Sequence, residues 1–518
     1  MMHEDKIMEV NEELDGMDDE FNGLREESSR SATTNGSVCT PGHQCVSAGT
    51  MVGLNNTCFT KANCHRVVHS LLLRIFFATC IYLCLFILDS ASPTLSKVII
   101  IYIGSIIGGS LCLGVVPALV GMIAVGIILR NMECFHFISD QNERALSDMS
   151  YNVIRTVALS VILMRSGMEL NLSAMQKMGG WKTVIYLTIL PCTFEAVSVG
   201  VSSHLLLGMP ILLGFTMGFI LSAVSPAVVV SGMLNLINDG YGDKVPSLVI
   251  ASASMDDVIS ISGFAIFCDL FLDMQKGHDT GFVQNIVHGP LIIALGLLLG
   301  CLGGAILSLD IIFDCKWKRN MAILIIGLLI TFGTDKAHFG GSGMLACIVL
   351  GVVYRSSWVL EHISSSNNIE LSDCVDDITS FLSILWEQIC EPTLFGSIGY
   401  ALDVNGMKNE TILLHGTIIV LGLSLRISSA YFATNRANFS SRERLFIAFS
   451  WIPKATVQAA LCSLPLNAIK EKNLGEEYEK YGLDIINVAI LSILLTAPIG
   501  GAVVQYLGPY LLERSNNS

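Results

Sequence analysis

Two adjacent carboxylates in the middle of an apolar segment are the residues best suited to chemistry. Asp256 and Asp257 lie near the centre of LVIASASMDDVISISGFAIFC, residues 248–268, among small hydroxyl side chains. Carboxylate oxygens are the ligands that hard cations prefer in proteins, and removal from water favours the protonated form of a carboxylic acid. One such group can therefore hold either a cation such as Na⁺ or a proton. The alternative is a buried acid pair with a structural role, although two acids inside a membrane span would be costly without a use.

Three further charged residues lie inside other apolar segments. Glu195 and Lys454 are in the middle of theirs, and Arg426 is past the middle of its own. With the two aspartates they sum to three negative and two positive charges, so one bound cation or proton would neutralise the set. Glu387 and Glu391 would change this sum. Buried ion pairs that only hold helices together explain the three charges equally well.

Two segments carry a proline near the middle, at Pro226 and Pro392. Proline frees a backbone carbonyl and disfavours helix at the preceding residue. Interrupted helices at membrane depth line cavities or are buried in protein, and a pair of them in corresponding halves indicates a transporter site between inverted repeats. We therefore predict interrupted helices at both prolines, with Ser225 joining Asp256 and Asp257 in binding the ion. A simple kink at each proline is the alternative.

The composition places these segments in lipid. Of 518 residues, 52% are hydrophobic and 14% are charged, whereas about 25% are charged in a typical soluble domain. The sixteen cysteines fall mostly singly in apolar stretches, which is not a disulfide framework. Because a spanning helix needs about 20 apolar residues, we predict an all-α polytopic protein with about fourteen spans, near 70–92, 97–115, 116–130, 152–168, 181–206, 211–235, 247–268, 287–313, 320–333, 340–355, 380–403, 411–434, 444–466 and 484–511.

The segments outside the spans are short, apart from the N-terminus. Residues 1–60 hold eleven acidic and three basic residues, so we predict a disordered acidic tail over 1–66, a membrane domain over 67–513 and a short C-terminus at 514–518. Fourteen spans put both termini on one side. The basic loops near 316–319 and 436–444 share that side, which favours the cytoplasm. The chain is thus expected to be a multi-pass protein of the plasma membrane or an endomembrane, with no cofactor, no enzyme activity and no nucleic-acid partner.

Several strings resemble the animal NHA group of sodium/proton exchangers, subgroup B of solute carrier family 9 in the cation/proton antiporter superfamily. The resemblance covers roughly residues 66–513. It is carried, in this order along the chain, by SPAVVV at 225–230, NDGYG at 238–242, SMDDVISISGF at 254–264, WIPKATVQAAL at 451–461 and LSILLTAPIG at 491–500.

The resemblance implies a homodimer in the lipid bilayer with the NhaA-like fold. Each chain would have a dimerisation domain and a core domain that carries the ion. Inverted repeats would place two crossed, interrupted helices in the core, and by resemblance these are the spans with Pro226 and Pro392. The family exchanges Na⁺ or Li⁺ for H⁺ by an elevator-like movement of the core.

The resemblance also assigns roles to the charged residues. The paired aspartates of the family match Asp256 and Asp257, of which the second is the usual ion and proton carrier. Its arginine, which replaces a lysine of electrogenic relatives, matches Arg426, and a glutamate able to pair with it matches Glu195. The lysine of the WxPKATVQA motif matches Lys454.

Arginine has a mechanistic consequence at this position. Since arginine does not release its proton at accessible pH, Arg426 cannot act as a second proton carrier, and we expect one-for-one, electroneutral exchange. The sequence departs from the family at Glu391, where glutamine is usual, and at 165–170, where RSGMEL replaces a RAGLGL-like motif. Alternatives therefore stay open: potassium/proton exchange on the same fold, sodium-coupled uptake of an organic anion, or a regulatory subunit without transport.

Overall fold

A computed structural model describes residues 93–112, 117–131, 148–170, 181–242, 244–275, 282–309, 316–337, 339–363, 370–402 and 409–514. Over these ranges every regular element is helical. In chain order the α-helices are α1 (Pro93–Leu111), α2 (Ala118–Asn131), α3 (Asp148–Glu169), α4 (Trp181–Leu207), α5 (Ile211–Ser222), α6 (Pro226–Asn238), α7 (Lys244–Met274), α8 (Phe282–Leu307), α9 (Lys316–Lys336), α10 (Gly340–Ile363), α11 (Glu370–Leu385), α12 (Glu391–Ala401), α13 (Asn409–Ala433), α14 (Ser441–Phe449), α15 (Thr456–Leu461), α16 (Leu464–Glu471), α17 (Glu476–Ala502) and α18 (Gly508–Leu511).

The helices agree with the predicted spans wherever the two can be compared. Every predicted span inside the described ranges coincides with one or more helices. The predicted span at 70–92, the acidic tail at 1–66 and residues 515–518 lie outside the described residues. Five stretches of the described chain are long and apolar enough to cross a membrane: Trp181–Leu207, Ile211–Asn238, Pro290–Leu307, Glu410–Ala433 and Glu476–Leu511.

Helices α4 and α13 each present one apolar face outward and one face inward. Phe194 on α4 is 50% exposed and Leu413 on α13 is 73% exposed, as expected of side chains that contact lipid. Their charged neighbours Glu195 and Arg426 are buried at 1% and 0%. The two helices therefore direct Glu195 and Arg426 into the protein and not toward the bilayer.

The first predicted interruption is present. Residues Ala223, Val224 and Ser225 are extended between α5 and α6, and Pro226 occupies the first turn of α6. Proline suits this position because its fixed φ fits a helix start and its missing N–H would have no helical partner there.

The second predicted interruption, at Pro392, is wrong. The chain runs from α11 through a π-helical turn, Trp386–Cys390, directly into α12. Pro392 leaves the carbonyl of Gln388, four residues earlier, without its helical donor, and the hydroxyl of Tyr102 donates to that carbonyl over 2.8 Å. The wider turn and this outside donor let the helix continue through the proline.

The second interruption lies instead between α14 and α15. Helix α14 starts at a capping box formed by Ser440 and Glu443 and ends at Phe449, and residues 452–455 are non-helical before α15 begins at Thr456. Pro453 is within this non-helical stretch. The interruption thus falls in the WIPKATVQ string, in the same span as Lys454.

Several pairs of helices approach so closely that only glycine fits between them, and two of these pairs resemble each other. A Cβ on Gly126 of α2 would collide with the backbone of α12 at Gly396, and a Cβ on Gly399 of α12 would collide with α2. In the same way Gly167 of α3 and Gly351 of α10 each lie against the other helix's backbone. In each of these two pairs a polar side chain of one helix also donates to a carbonyl of the other. The Asn131 amide donates to the Leu402 carbonyl over 3.0 Å in the first pair, and the Arg355 guanidinium donates to the Met168 carbonyl in the second.

Candidate functional site

The two interrupted segments contact each other at their non-helical stretches, and this region is called the crossing below. The backbone N–H of Ser225 donates to the carbonyl of Pro453 over 2.9 Å, which joins the first interruption to the second. An interrupted helix leaves carbonyls at the end of its first half and N–H groups at the start of its second half without helical partners. Because such groups are costly when buried, the partners they find define what the crossing can hold.

Gln458 and two cations satisfy the carbonyls at the end of α5. The side-chain amide of Gln458 donates to the carbonyls of Ile220 and Ala223 over 3.1 and 2.7 Å. The ammonium of Lys454 donates to the carbonyl of Leu221, and the guanidinium of Arg426 to that of Ser222. Positive charge at a helix C-terminus is also favoured by the helix dipole.

Arg426 is the centre of the charged network. Its Nη1 donates to Glu195 Oε2 and its Nη2 to Asp256 Oδ2, both over 2.8 Å. Its Nε donates to the carbonyl of Trp451 over 2.9 Å. Helix α13 thus supplies one fully buried guanidinium that contacts α4, α7 and both interrupted segments, which matches the planar, multi-donor geometry of arginine.

Lys454 completes the network from the second interruption. Its ammonium lies 2.7 Å from Glu195 Oε1, and its backbone N–H donates to the hydroxyl of Thr496 on α17 over 3.0 Å. Glu195 therefore accepts from both cations. Asp256 Oδ2 accepts from Arg426 and from the backbone N–H of Val224 over 2.8 Å.

The four charges of this network cancel. Arg426 and Lys454 contribute two positive charges, and Glu195 and Asp256 contribute two negative ones. Asp257, the adjacent residue on α7, is 3% exposed. Within the residues that the structure describes it forms no ion pair, and its Oδ1 has no hydrogen-bond donor.

Other buried oxygens close to the crossing also lack hydrogen-bond partners within the described residues. They come from the first interruption, from α7 and from α15, and they are Asp256 Oδ1, Ser225 Oγ, Ser252 Oγ, Thr456 Oγ1 and Gln458 Oε1. Carboxylate, hydroxyl and amide oxygens are the donor set of a hard cation. The Gln458 oxygen has a defined direction, because the amide nitrogen must face the carbonyls of α5.

The structure thus brings together most of the residues that the sequence singled out. Glu195, Asp256, Arg426 and Lys454 form one network, Asp257 follows it on α7, and Ser225 is in the crossing. Pro392 lies on α12 and takes no part in the crossing. Neither Glu387 nor Glu391 contacts the network in the part of the chain that the structure describes; Glu391 lies within electrostatic range of Arg165 and Glu387 instead.

Sequence reasoning missed two contributors. Gln458 supports the end of α5, and Thr496 holds the backbone of the second interruption. Gln458 carries a signal, since an uncharged amide inside an apolar span needs partners. Thr496 carries little, because a threonine can satisfy its hydroxyl within its own helix.

Comparison with known proteins shows which family the chain is similar to. The family model described as "Sodium/hydrogen exchanger, transmembrane" matches residues 98–508. Sodium/hydrogen exchanger 9B2 of Homo sapiens is 33% identical over 430 residues, which covers 80% of this chain and 75% of that protein. The 9B2 protein of Xenopus tropicalis is 35% identical over 404 residues, covering 77% and 70%, and 9B1 of Homo sapiens is 31% identical over 428 residues, covering 80% and 78%. The sodium proton antiporter MjNhaP1 of Methanocaldococcus jannaschii shares the fold, with a TM-score of 0.58 at 16% identity over 86% of this chain and 99% of that one.

Proposed function

The chain belongs to the transmembrane sodium/hydrogen exchanger family, and we propose that Asp257 is the group that carries either one cation or one proton in its exchange of Na⁺ for H⁺. The observation that carries this proposal is the balance of charge at the crossing. Arg426 and Lys454 are already paired with Glu195 and Asp256. Asp257 alone is left with a charge to be neutralised.

Neutralisation by two different ions is what couples their movement. A buried, unpaired carboxylate is far too costly to move through a bilayer, so Asp257 travels only when it holds a cation or a proton. Because both occupy the same carboxylate, they exclude each other, and exchange follows. Glu195, Asp256, Arg426 and Lys454 cancel one another's charge and hold the crossing together while this occurs.

We propose that Asp256 Oδ1 and Ser225 Oγ complete the cation site. Both atoms are buried and lack a hydrogen-bond donor among the described residues, and the opposite oxygen of Asp256 is already used by Arg426 and Val224. A small set of hard oxygens suits Na⁺ or Li⁺, and K⁺ is the competing substrate that the experiment below includes.

The exchange is proposed to be one for one and electroneutral. Arg426 donates to four acceptors and does not release its proton at accessible pH. Lys454 is held by Glu195 and the Leu221 carbonyl, so it supports the interrupted helix and carries no substrate. One proton therefore balances one monovalent cation.

Two inverted repeats are proposed from the glycine-packed helix pairs. Helix α2 against α12 and helix α10 against α3 share tight glycine contacts and a polar side chain of the first helix that meets a carbonyl at the end of the second. Chain order relates α2 to α10, α3 to α11–α12, and the α5–α6 interruption to the α14–α15 interruption. With this symmetry we propose the family's homodimer in the lipid bilayer, its elevator-like movement of a core, and cytoplasmic termini in a plasma or internal membrane.

The test is cation-driven proton movement in proteoliposomes with a preset pH gradient. Na⁺, Li⁺ and K⁺ are added in turn to wild type, to Asp257→Asn and to Glu391→Gln, a control acid that lies outside the network. We expect Na⁺ or Li⁺ to collapse the gradient in wild type and the control but not in Asp257→Asn. Equal activity of Asp257→Asn would refute the carrier assignment. Collapse of the gradient by K⁺ as well would identify a potassium/proton exchanger. If correctly inserted wild type moves no protons with any of the three cations, a regulatory subunit would be favoured.

A further inference from the structure

Two polar contacts join α3 to the end of the second interrupted segment. The guanidinium of Arg155 donates to the hydroxyl of Ser463 over 2.9 Å, and the side-chain amide of Asn467 donates to Asn152 Oδ1 over 2.5 Å. Asn152 and Arg155 are three residues apart on one face of α3, and Ser463 and Asn467 are four apart across the start of α16. Arg155 and Ser463 are only 5% and 3% exposed.

The two sides of this contact differ in their relation to the charged network, and α3, α9 and α10, on one side, are treated below as one helix group. On its other faces α3 lies against α10 at Gly167 and Gly351, and Ser160 of α3 donates to Thr331 of α9 over 3.0 Å. None of these helices contributes a side chain to the charged network described above. Ser463 and Asn467, in contrast, follow Lys454 by nine and thirteen residues and are connected to it through the short helix α15.

We propose that Asn152, Arg155, Ser463 and Asn467 form a latch that holds one end of the crossing against α3 and must open once in every exchange cycle. This inference rests on the proposed function, because it requires the crossing to move relative to α3 when the site changes the side that it faces. It deepens that function by naming the contact that separates the two states.

The chemistry of the latch suits a contact that opens and closes. Apolar surfaces can slide past each other in small steps, whereas two hydrogen bonds are either made or broken. A buried arginine and two amides are costly without partners, so the latch opens only when water enters between α3 and α16 to replace the lost bonds. The opening of the latch and the hydration of that end of the cleft are therefore one event.

The decisive experiment prevents the latch from opening. Cysteines replace Asn152 and Asn467 in a variant whose sixteen native cysteines have been replaced and whose exchange activity has been verified. A short bifunctional reagent that forms disulfides with both thiols then links them in proteoliposomes. We expect sodium-driven proton movement to fall at least about tenfold and to return when a reducing agent cleaves the link, because one of the two states can no longer form.

The matched control links two residues within one helix group. Ser160→Cys with Thr331→Cys places a cross-link between α3 and α9, whose hydroxyls are 3.0 Å apart, and this link should leave exchange unchanged. Full exchange by the protein cross-linked between positions 152 and 467 would refute the latch while leaving the proposed function intact. A wild-type protein that moves no protons would refute the proposed function and the latch with it.

A second measurement does not depend on cysteine variants. Asn152→Ala, Asn467→Ala and the double variant each remove the same hydrogen bond, whose net contribution corresponds to about a fivefold change in an equilibrium constant. Loss of the bond populates the state whose site is open at the latch end, and a more populated binding-competent state lowers the apparent KM. The KM for Na⁺ should therefore fall up to about fivefold when Na⁺ is on the membrane side of the latch, and rise when Na⁺ is on the opposite side. The double variant should match the single variants. If the contact is purely structural, the variants will lose thermal stability but their KM will not differ between the two sides of the membrane. That result would overturn the proposal.

Discussion

Glu195→Gln should destabilise the crossing, and adding Lys454→Met should restore most of the lost stability. Glu195→Gln keeps the size of the side chain but removes the charge that lies 2.7 Å from Lys454 and 2.8 Å from Arg426. Arg426 still has Asp256 and two carbonyls. Lys454 keeps the Leu221 carbonyl but loses the carboxylate that it is paired with, so the substitution leaves a buried ammonium without its counter-charge.

The size of the effect follows from the burial of the pair. Removing one partner of a buried ion pair costs about 3–5 kcal/mol, whereas replacing both by uncharged side chains is often close to neutral. Lys454→Met alone should cost less, about 1–3 kcal/mol, because Glu195 remains paired with Arg426 and only hydrogen bonds of the ammonium are lost. The double variant should then resemble Lys454→Met and not the sum of the two single variants.

The assay is thermal unfolding of the purified proteins in detergent, followed for wild type, both single variants and the double variant. Glu387→Gln serves as the control, since it makes the same chemical change at an acid outside the network. We expect Glu195→Gln to have the lowest midpoint and the double variant to recover. Strictly additive losses, or a Glu195→Gln midpoint equal to that of the control, would refute the charge balance on which the site is argued.

Three further outcomes follow from the same contacts. Arg426→Lys should lower thermal stability, because an ammonium cannot reach the four acceptors of the guanidinium. Since a lysine can release its proton, exchange by this variant should generate a voltage-dependent current. A variant that is fully stable and carries no current would contradict this. Gly126→Ala should destabilise the protein in detergent, since its Cβ has no room against α12, while Gly416→Ala should not, since nothing lies within 4 Å of its Cβ. Gln458→Leu should cost about 1–3 kcal/mol in unfolding measurements by leaving carbonyls at the end of α5 without donors, and an unchanged midpoint would show that water replaces the amide.

The helices and the charged residues could be read from the sequence for a simple reason. In lipid an apolar run of sufficient length has to be helical, since its backbone groups have no other partners. A charge inside such a run needs a counter-charge or water, so Glu195, Arg426 and Lys454 were expected to find one another or the aspartates. Their individual pairing was not predictable, because it depends on which helices pack together.

Pro392 shows where this reasoning fails. A proline identifies a carbonyl that has lost its helical donor, but not whether another group replaces that donor. At Gln388 the hydroxyl of Tyr102, far away in the sequence, does so. At Pro453, next to Lys454, no continuous helix forms. The two prolines differ in their tertiary surroundings, which a single sequence does not display.

The assignment of two roles to two adjacent aspartates also needed the structure. Neighbouring residues on a helix point about 100° apart, so the sequence indicates that Asp256 and Asp257 face different surroundings but not which one faces Arg426. The guanidinium contacts Asp256. This contact supports the proposal that Asp257 is the residue available to a substrate ion.

The most direct test of the account is the pH dependence of Na⁺ binding to the purified protein. If one cation and one proton compete for Asp257, linkage requires the apparent Kd for Na⁺ to rise about tenfold for each unit of falling pH once Asp257 of the cation-free protein is mostly protonated. Asp257→Asn should show no such pH-linked binding, while Glu391→Gln should retain it. A Kd that does not change with pH, a dependence on two protons, or pH-linked binding that survives in Asp257→Asn would contradict the account.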